Sequence, residues 1–346
     1  MKEQRSNNNI EDWLKRSMSA AFLVSSLALF VYYGPVGSIL LVTLIQFRGM
    51  HELLECGLAF FRANHLKWSK FLAWTLFILS YYYFNFKIFY ARLFPMVYES
   101  EPLRFLIDYH SFICLCIFFM ILSFFVYTLE TTTSTNAEKQ LLLFAYSCGI
   151  VWIWSNSSYH VDNVFNGLIW FVLATSLSTL NDIMALLLGK LVGRNRLIEV
   201  SPNKTWEGFV GSAIFTILVA FLMADRLCRH EHMICPVEYQ LADGKAQLVS
   251  CNRSHLFKQV QQIIHVPLLD ESYSVHVYPF QYHAVAISIY ISLIGPFGGF
   301  FASGFKRAFR LKDFSNILPG HGGFNDRFDC TLFASPFISF YIEAFI

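Results

Sequence analysis

About nine apolar runs, each close to the length of a bilayer-spanning helix, leave this 346-residue chain little choice but a polytopic membrane fold. A hydrocarbon core of about 30 Å takes about 20 helical residues. On that ruler the candidate spans are 17–33, 36–61, 71–92, 109–128, 140–155, 165–189, 206–224, 283–305 and 328–346. The chain is 55% hydrophobic, and 14% of its residues are charged, against roughly 25% in a typical soluble domain. The expected fold is all-α: about nine transmembrane helices in one bundle, preceded by a polar segment at 1–16. Residues 17–346 form one transmembrane domain on this reading.

The first two runs abut at Tyr33-Gly34-Pro35, which reads as a tight turn. The second run carries Arg48, His51, Glu52 and Glu55, so its C-terminal half is expected to leave the lipid or face protein. The N-terminal segment lacks the apolar core and small-residue cleavage site of a signal peptide, so the first run is expected to remain as an anchor.

Orientation follows from the basic residues. With a cytosolic N-terminus, the connections on that side are 1–16, 62–70, 129–139, 190–205 and 306–327, and they are rich in Lys and Arg. The short connections opposite hold only Arg104, with Arg92 at their edge. The one long loop, 225–282, then falls on the far side, and no soluble domain is read in it. It carries Cys228, Cys235, Cys251 and an Asn252-Arg253-Ser254 triplet. In an oxidising lumen one disulfide among those cysteines is expected, with the pairing unreadable. The eight cysteines contain no CxxC pair, which removes zinc and thioredoxin-type readings.

Three polar constellations converge on the cytosolic face. Asn181-Asp182 lies inside the run 165–189, where an acid is costly and normally faces the bundle interior or a water-filled cavity. It reads as a metal or substrate site, or else as a helix-packing hydrogen bond. Next comes Ser201-Pro202-Asn203-Lys204-Thr205-Trp206-Glu207-Gly208, where Ser201 before a proline resembles a helix N-cap. Its free N–H groups, with Lys204 and Arg194, suit an anion; an ordinary capped loop is the alternative. The third is 303–329, SGFKRAFRLKDFSNILPGHGGFNDRFD. Ser303, Lys306, Arg307 and Arg310 form one stripe if the helix continues past the membrane. Such a stripe alone could bind lipid headgroups. The glycines around His321 and the carboxylates Asp326 and Asp329 point further, to phosphates and a divalent metal. Three residues apart at a helix start, the two aspartates would project to one side and share the ion.

This last run resembles the signature of CDP-diacylglycerol synthases, also called phosphatidate cytidylyltransferases. Asn181-Asp182, the stretch 201–209, and Gly295-Pro-Phe-Gly-Gly-Phe-Phe-Ala-Ser303 resemble the same family in the same order, the last pointing to its eukaryotic branch. The likeness spans roughly 10–346 and is densest over 165–330. Family members often place Ala-Tyr after Asn-Asp, where this chain has Ile183-Met184-Ala185-Leu186. Bacterial members carry an aspartate where Gly299 stands here.

The resemblance implies the reaction CTP + phosphatidate → CDP-diacylglycerol + diphosphate, with Mg²⁺ as cofactor. Asp326 and Asp329 are the expected metal ligands, with Asp182 and Asp313 as further candidates. Asp326, Asp329, Lys306 and Arg307 are the expected catalytic residues. Ser201, Asn203, Lys204, Ser303, Lys312, His321 and Arg327 are the expected substrate contacts. It further implies a homodimer in the endoplasmic reticulum membrane, with CTP, phosphatidate and bilayer lipid as partners and no nucleic acid; the basic connections place the active site on the cytosolic side. Other readings are a CTP-dependent polyprenol (dolichol-type) kinase and a catalytically silent scaffold or transporter on the same fold.

Overall fold

Apolar runs of this length satisfy their backbone hydrogen bonds internally only as helices, and among the described residues helices occupy them. The computed structural model describes residues 18–19, 21–63, 69–98, 109–132, 156, 158–198, 201, 204–242, 245–266, 271–315, 317–318 and 322–346. In chain order the helices are α1 (Ala21–Tyr32), α2 (Gly34–Ala63), α3 (Ser69–Tyr98), α4 (His110–Thr132) and α5 (158–166). Then follow α6 (Leu168–Val192), α7 (Trp206–Cys228), α8 (Glu231–Ile234), α9 (Pro279–Ala308), α10 (Asn325–Phe328) and α11 (Thr331–Phe345). Among the described residues α6, α7 and α9 are long and apolar enough to cross a membrane, and α1, α11 and the His110–Met120 part of α4 are shorter apolar helices. The expected run at 140–155 lies outside the described residues. The turn between α1 and α2 is present: Gly34 has φ +80°, which glycine adopts without strain, and Pro35 sits in the first turn of α2.

The all-α expectation needs correction over 225–282. After α8 this stretch forms two antiparallel hairpins, β1 (Tyr239–Ala242) with β2 (Lys245–Leu248), and β3 (Val260–Val266) with β4 (Glu271–Val277). The register of the second pairs Val260 with Val277 and Ile264 with Tyr273. β-branched and aromatic residues of this kind suit a pleated surface, and apolar helical periodicity is missing here. A disulfide joins Cys235 to Cys251, with Cα atoms 5.6 Å apart, while Cys228 stays a buried free thiol. One bond among the three cysteines was the expectation.

The chain organises into two compact units, each discontinuous in sequence. The first comprises residues 1–162, 238–249 and 301–329. Its core includes Met50, Leu53 and Phe77, all fully buried, with the Phe47 ring edge-on to Phe77 at 5.0 Å. β1 packs on α3, and Arg92 of α3 reaches Asp162 at 3.5 Å and Glu238 at 3.7 Å.

The second unit comprises 163–237, 250–300 and 330–346. Here α7 buries Gly208, Ser212, Thr216, Ala220, Ala224 and Cys228, one small residue every fourth position. Small side chains let helix backbones approach closely where lipid offers no hydrophobic drive between helices. A Cβ on Gly208 would lie 2.5 Å from the Ala185 carbonyl oxygen of α6. Aromatic packing completes the core, with Trp170 edge-on to Phe280 at 5.0 Å and Tyr290 stacked on Phe337 at 3.6 Å.

Candidate active site

In the first unit the site is built on the end of α9. The helix stops at Ala308, and Arg310 takes a left-handed conformation with φ 57°. The Leu311 N–H donates to the Lys306 carbonyl at 2.9 Å, and the Arg307 guanidinium donates to the Leu311 carbonyl at 2.8 Å. The helix end is thus capped by its own reversal, and Arg307 braces the turn just beyond it. The expected basic stripe is corrected accordingly: Arg310 lies beyond the helix, and Lys306 turns inward while Arg307 stays exposed.

Lys306 meets Asp326. Its Nζ donates to Oδ1 of Asp326, with the lysine side chain 11% exposed and the aspartate 3%. The other oxygen of Asp326 accepts the N–H groups of Phe314 at 3.0 Å and Gly323 at 2.9 Å. Both carboxylate oxygens are therefore engaged by protein donors. Asp326 ties three parts of the segment together through these three hydrogen bonds. Asp329 follows directly as the residue capping α10.

A second carboxylate holds the same segment from α2. Glu52, fully buried, accepts from the Ser315 hydroxyl at 2.7 Å, the Phe324 N–H at 2.8 Å and the Asn325 N–H at 3.0 Å. Asp313, Lys312 and Arg327 lie exposed on this segment, and Ser303 is half-buried on α9. Paired hydrogen bonds between Leu318 and Gly322 close the glycine loop, with Gly322 at φ +80°. His321 lies outside the described residues.

In the second unit the Asn181-Asp182 pair splits its duties. Asn181 is buried and accepts from the Thr216 hydroxyl at 3.4 Å, a helix-packing bond, while Asp182 faces Lys204 at 3.7 Å. Lys204 also sits 4.9 Å above the Phe300 ring. A partly exposed pair at this distance contributes about 0–1 kcal/mol.

The helix after this loop starts later than Ser201-Pro202 suggested. Thr205 is the N-cap of α7, its hydroxyl accepting the Gly208 N–H at 3.2 Å, while the Ser201 carbonyl accepts the Lys204 N–H in a turn. Pro202 and Asn203 lie outside the described residues. Glu207, in the first turn of α7, receives the backbone N–H of Arg194 at 3.0 Å and the Asn195 side-chain amide at 3.0 Å. It fastens the loop to the helix, and only its place as an acid in the first helical turn hinted at a role there.

A family model for the cytidylyltransferase family matches residues 14–345. The chain belongs to that family. Three relatives align with it over nearly its whole length. Phosphatidate cytidylyltransferase 1 of Mus musculus is 38% identical over 340 residues, covering 97% of this chain and 73% of its own. Phosphatidate cytidylyltransferase 2 of Homo sapiens is 35% identical over 341 residues, with 97% and 75% covered. Phosphatidate cytidylyltransferase of Caenorhabditis elegans is 33% identical over 342 residues, with 97% and 72% covered.

Within this cytidylyltransferase fold the donor sets divide by availability. Asp313 is exposed and Asp182 is 36% exposed at its side chain, so each presents carboxylate oxygen to a hard divalent cation. Asp326 is withdrawn, 3% exposed at its side chain, and its oxygens already hold Lys306 and two amides. Lys312 and Arg327 are the exposed cations of this segment beyond α9 and its turn.

Proposed function

We propose that this member of the cytidylyltransferase family is a phosphatidate cytidylyltransferase, converting CTP and phosphatidate to CDP-diacylglycerol and diphosphate. Similarity over 97% of the chain to relatives carrying that name is the observation that carries the reading. A phosphatidate phosphate oxygen attacks the α-phosphorus of CTP, a new P–O bond forms, and the bond to the β-phosphate bridge breaks to release diphosphate. The nucleophile is already an anion, so no strong general base is needed. Rate enhancement comes from positioning and from neutralising phosphate charge.

Arg307, Lys312 and Arg327 bind phosphate oxygens, while Lys306, held by Asp326, presents a fixed charge from the end of α9. Lys204, Ser201, Asn203, Ser303 and His321 are the remaining proposed substrate contacts. Mg²⁺ is the proposed cofactor, which Asp326 and Asp329 would hold, with Asp182 and Asp313 as further candidate ligands. When bound, Mg²⁺ supplies charge neutralisation on the triphosphate and the departing diphosphate.

About nine spans with a cytosolic N-terminus, residence in the endoplasmic reticulum, and a homodimer complete the proposal. The basic connections support the orientation. The Cys235–Cys251 bond supports an oxidising compartment on the side of the long loop.

The test is turnover by membranes holding this protein, supplied with CTP labelled in the cytidine, phosphatidate and Mg²⁺. Label recovered in CDP-diacylglycerol is the expected result. Transfer of a γ-phosphate label to a polyprenol would mean a kinase instead, and no turnover of either would leave a silent scaffold.

A further inference from the structure

Glu52 stands 263 positions before Ser315, outside every motif that marks the site, yet one face of α2 is built around holding that segment. Gly49, Glu52 and Cys56 fall on a single helical stripe. The Gly49 carbonyl accepts the Asn325 side-chain amide at 2.7 Å. Glu52 takes the Ser315 hydroxyl and the N–H groups of Phe324 and Asn325, and the Cys56 thiol donates to the Phe314 carbonyl at 3.6 Å. All three donors to Glu52 are neutral. A fully buried carboxylate is costly unless its oxygens are filled, and here a hydroxyl and two backbone amides fill them.

The geometry has a consequence beyond packing. Gly323 comes so close that a Cβ there would lie 2.6 Å from Glu52 Oε2, and the next three residues carry the two amides and Asp326. Asp326 in turn holds Lys306. Fixing the turn therefore fixes the direction of the buried carboxylate and of the cation it grips. We infer that Glu52 is a positioning residue for the cytidylyl transfer, acting through the 323–326 turn to set the Lys306–Asp326 pair for the triphosphate of CTP. This rests on the reading of the chain as a phosphatidate cytidylyltransferase. CTP is the substrate singled out because it carries the larger phosphate charge, and the basic residues of the 306–327 stretch flank the turn.

The decisive experiment is a kinetic comparison of the full-length protein with Glu52→Gln, normalised to folded protein. The amide keeps the volume but turns an NH₂ group toward donors. Expected are a kcat lowered about tenfold to a hundredfold, a KM for CTP raised about fivefold, and a KM for phosphatidate unchanged within about twofold. Ser315→Ala, which removes one donor, should move KM for CTP in the same direction by a smaller factor. It decides the matter if Glu52→Gln yields too little folded protein. An unaltered KM for CTP in the variants that fold, with Vmax following only the folded fraction, would overturn the inference and leave Glu52 a packing residue. Failure of the unmodified protein to turn over CTP and phosphatidate would overturn the reading beneath it.

Discussion

Lys306 and Asp326 form an ion pair withdrawn from solvent, and its remaining acceptor oxygen is filled by the amides of Phe314 and Gly323. Removing one member of a buried pair strands the other, at a cost of about 3–5 kcal/mol, whereas replacing both with neutral groups costs less. Asp326→Asn and Lys306→Met should each lower the melting temperature of the detergent-purified protein sharply. The double variant should be more stable than the sum of the two losses by at least about 1 kcal/mol. Additive losses would mean that the two side chains do not depend on each other. Turnover should fall about 100-fold or more in every one of these variants, since the proposed phosphate-facing charge is lost or misdirected.

Two glycines of the same region should respond with opposite signs. At Gly323 a Cβ would lie 2.6 Å from Oε2 and 2.8 Å from the carboxyl carbon of Glu52, which its three donors hold in place. Gly323→Ala should cost about 1–3 kcal/mol. At Gly304, inside α9, nothing lies within 4 Å of the added atom, so Gly304→Ala should gain about 0.5–1 kcal/mol of helix stability. Thermal melting of the two variants beside the unmodified protein checks both; equal shifts would contradict the geometry.

Much of the helical framework was legible because apolar runs of bilayer length are a local signal, and α6, α7 and α9 lie where such runs occur. The hairpins carry a weaker local signal, short runs of strand formers between membrane-length helices: Val260, Ile263, Ile264 and Val266 pair with the strand of Tyr273, Val275 and Val277. The site was legible only in part. Lys306 and Asp326 were singled out as cation and carboxylate, but their pairing was not, because residue types carry no direction. Glu52 was visible as an acid in an apolar helix, and its partner segment lies 263 residues or more away, a distance no periodicity spans. The shift of the α7 start from Ser201 to Thr205 came from two competing caps, settled by which hydroxyl reaches a helical N–H.

The Cys235–Cys251 bond closes a loop with a sequence separation of 16, and its loss by Cys251→Ser should cost about 3 kcal/mol in the chain-entropy account. It also reports on sidedness. In sealed vesicles with the N-terminus outside, a membrane-impermeant maleimide should reach neither cysteine, even after reduction. Once the vesicles are opened, Cys235 and Cys251 should label in reductant, while buried Cys228 stays protected until the protein is denatured. Labelling in sealed, reduced vesicles would reverse the proposed orientation.

The crossing of α6 and α7 sets where Lys204 and Asp182 meet, because Lys204 immediately precedes the cap of α7 and Asp182 lies on α6. At Gly208 an added Cβ would meet backbone on two sides, the Ala185 oxygen at 2.5 Å and the Gly189 nitrogen at 2.9 Å. Neither can yield without parting the helices. At Gly211, one turn on, the same atom meets the tip of the Leu188 side chain at 2.7 Å, which can rotate away. Gly208→Ala should therefore cost about 1–3 kcal/mol and lower turnover more than in proportion to folded protein. Gly211→Ala should cost less than about 1 kcal/mol and leave turnover within about twofold. Thr216→Val, which deletes the weak bond to Asn181 far from the loop, should cost about 1 kcal/mol with no effect on turnover per folded molecule. If all three variants lose turnover in step with melting temperature, the crossing serves stability alone.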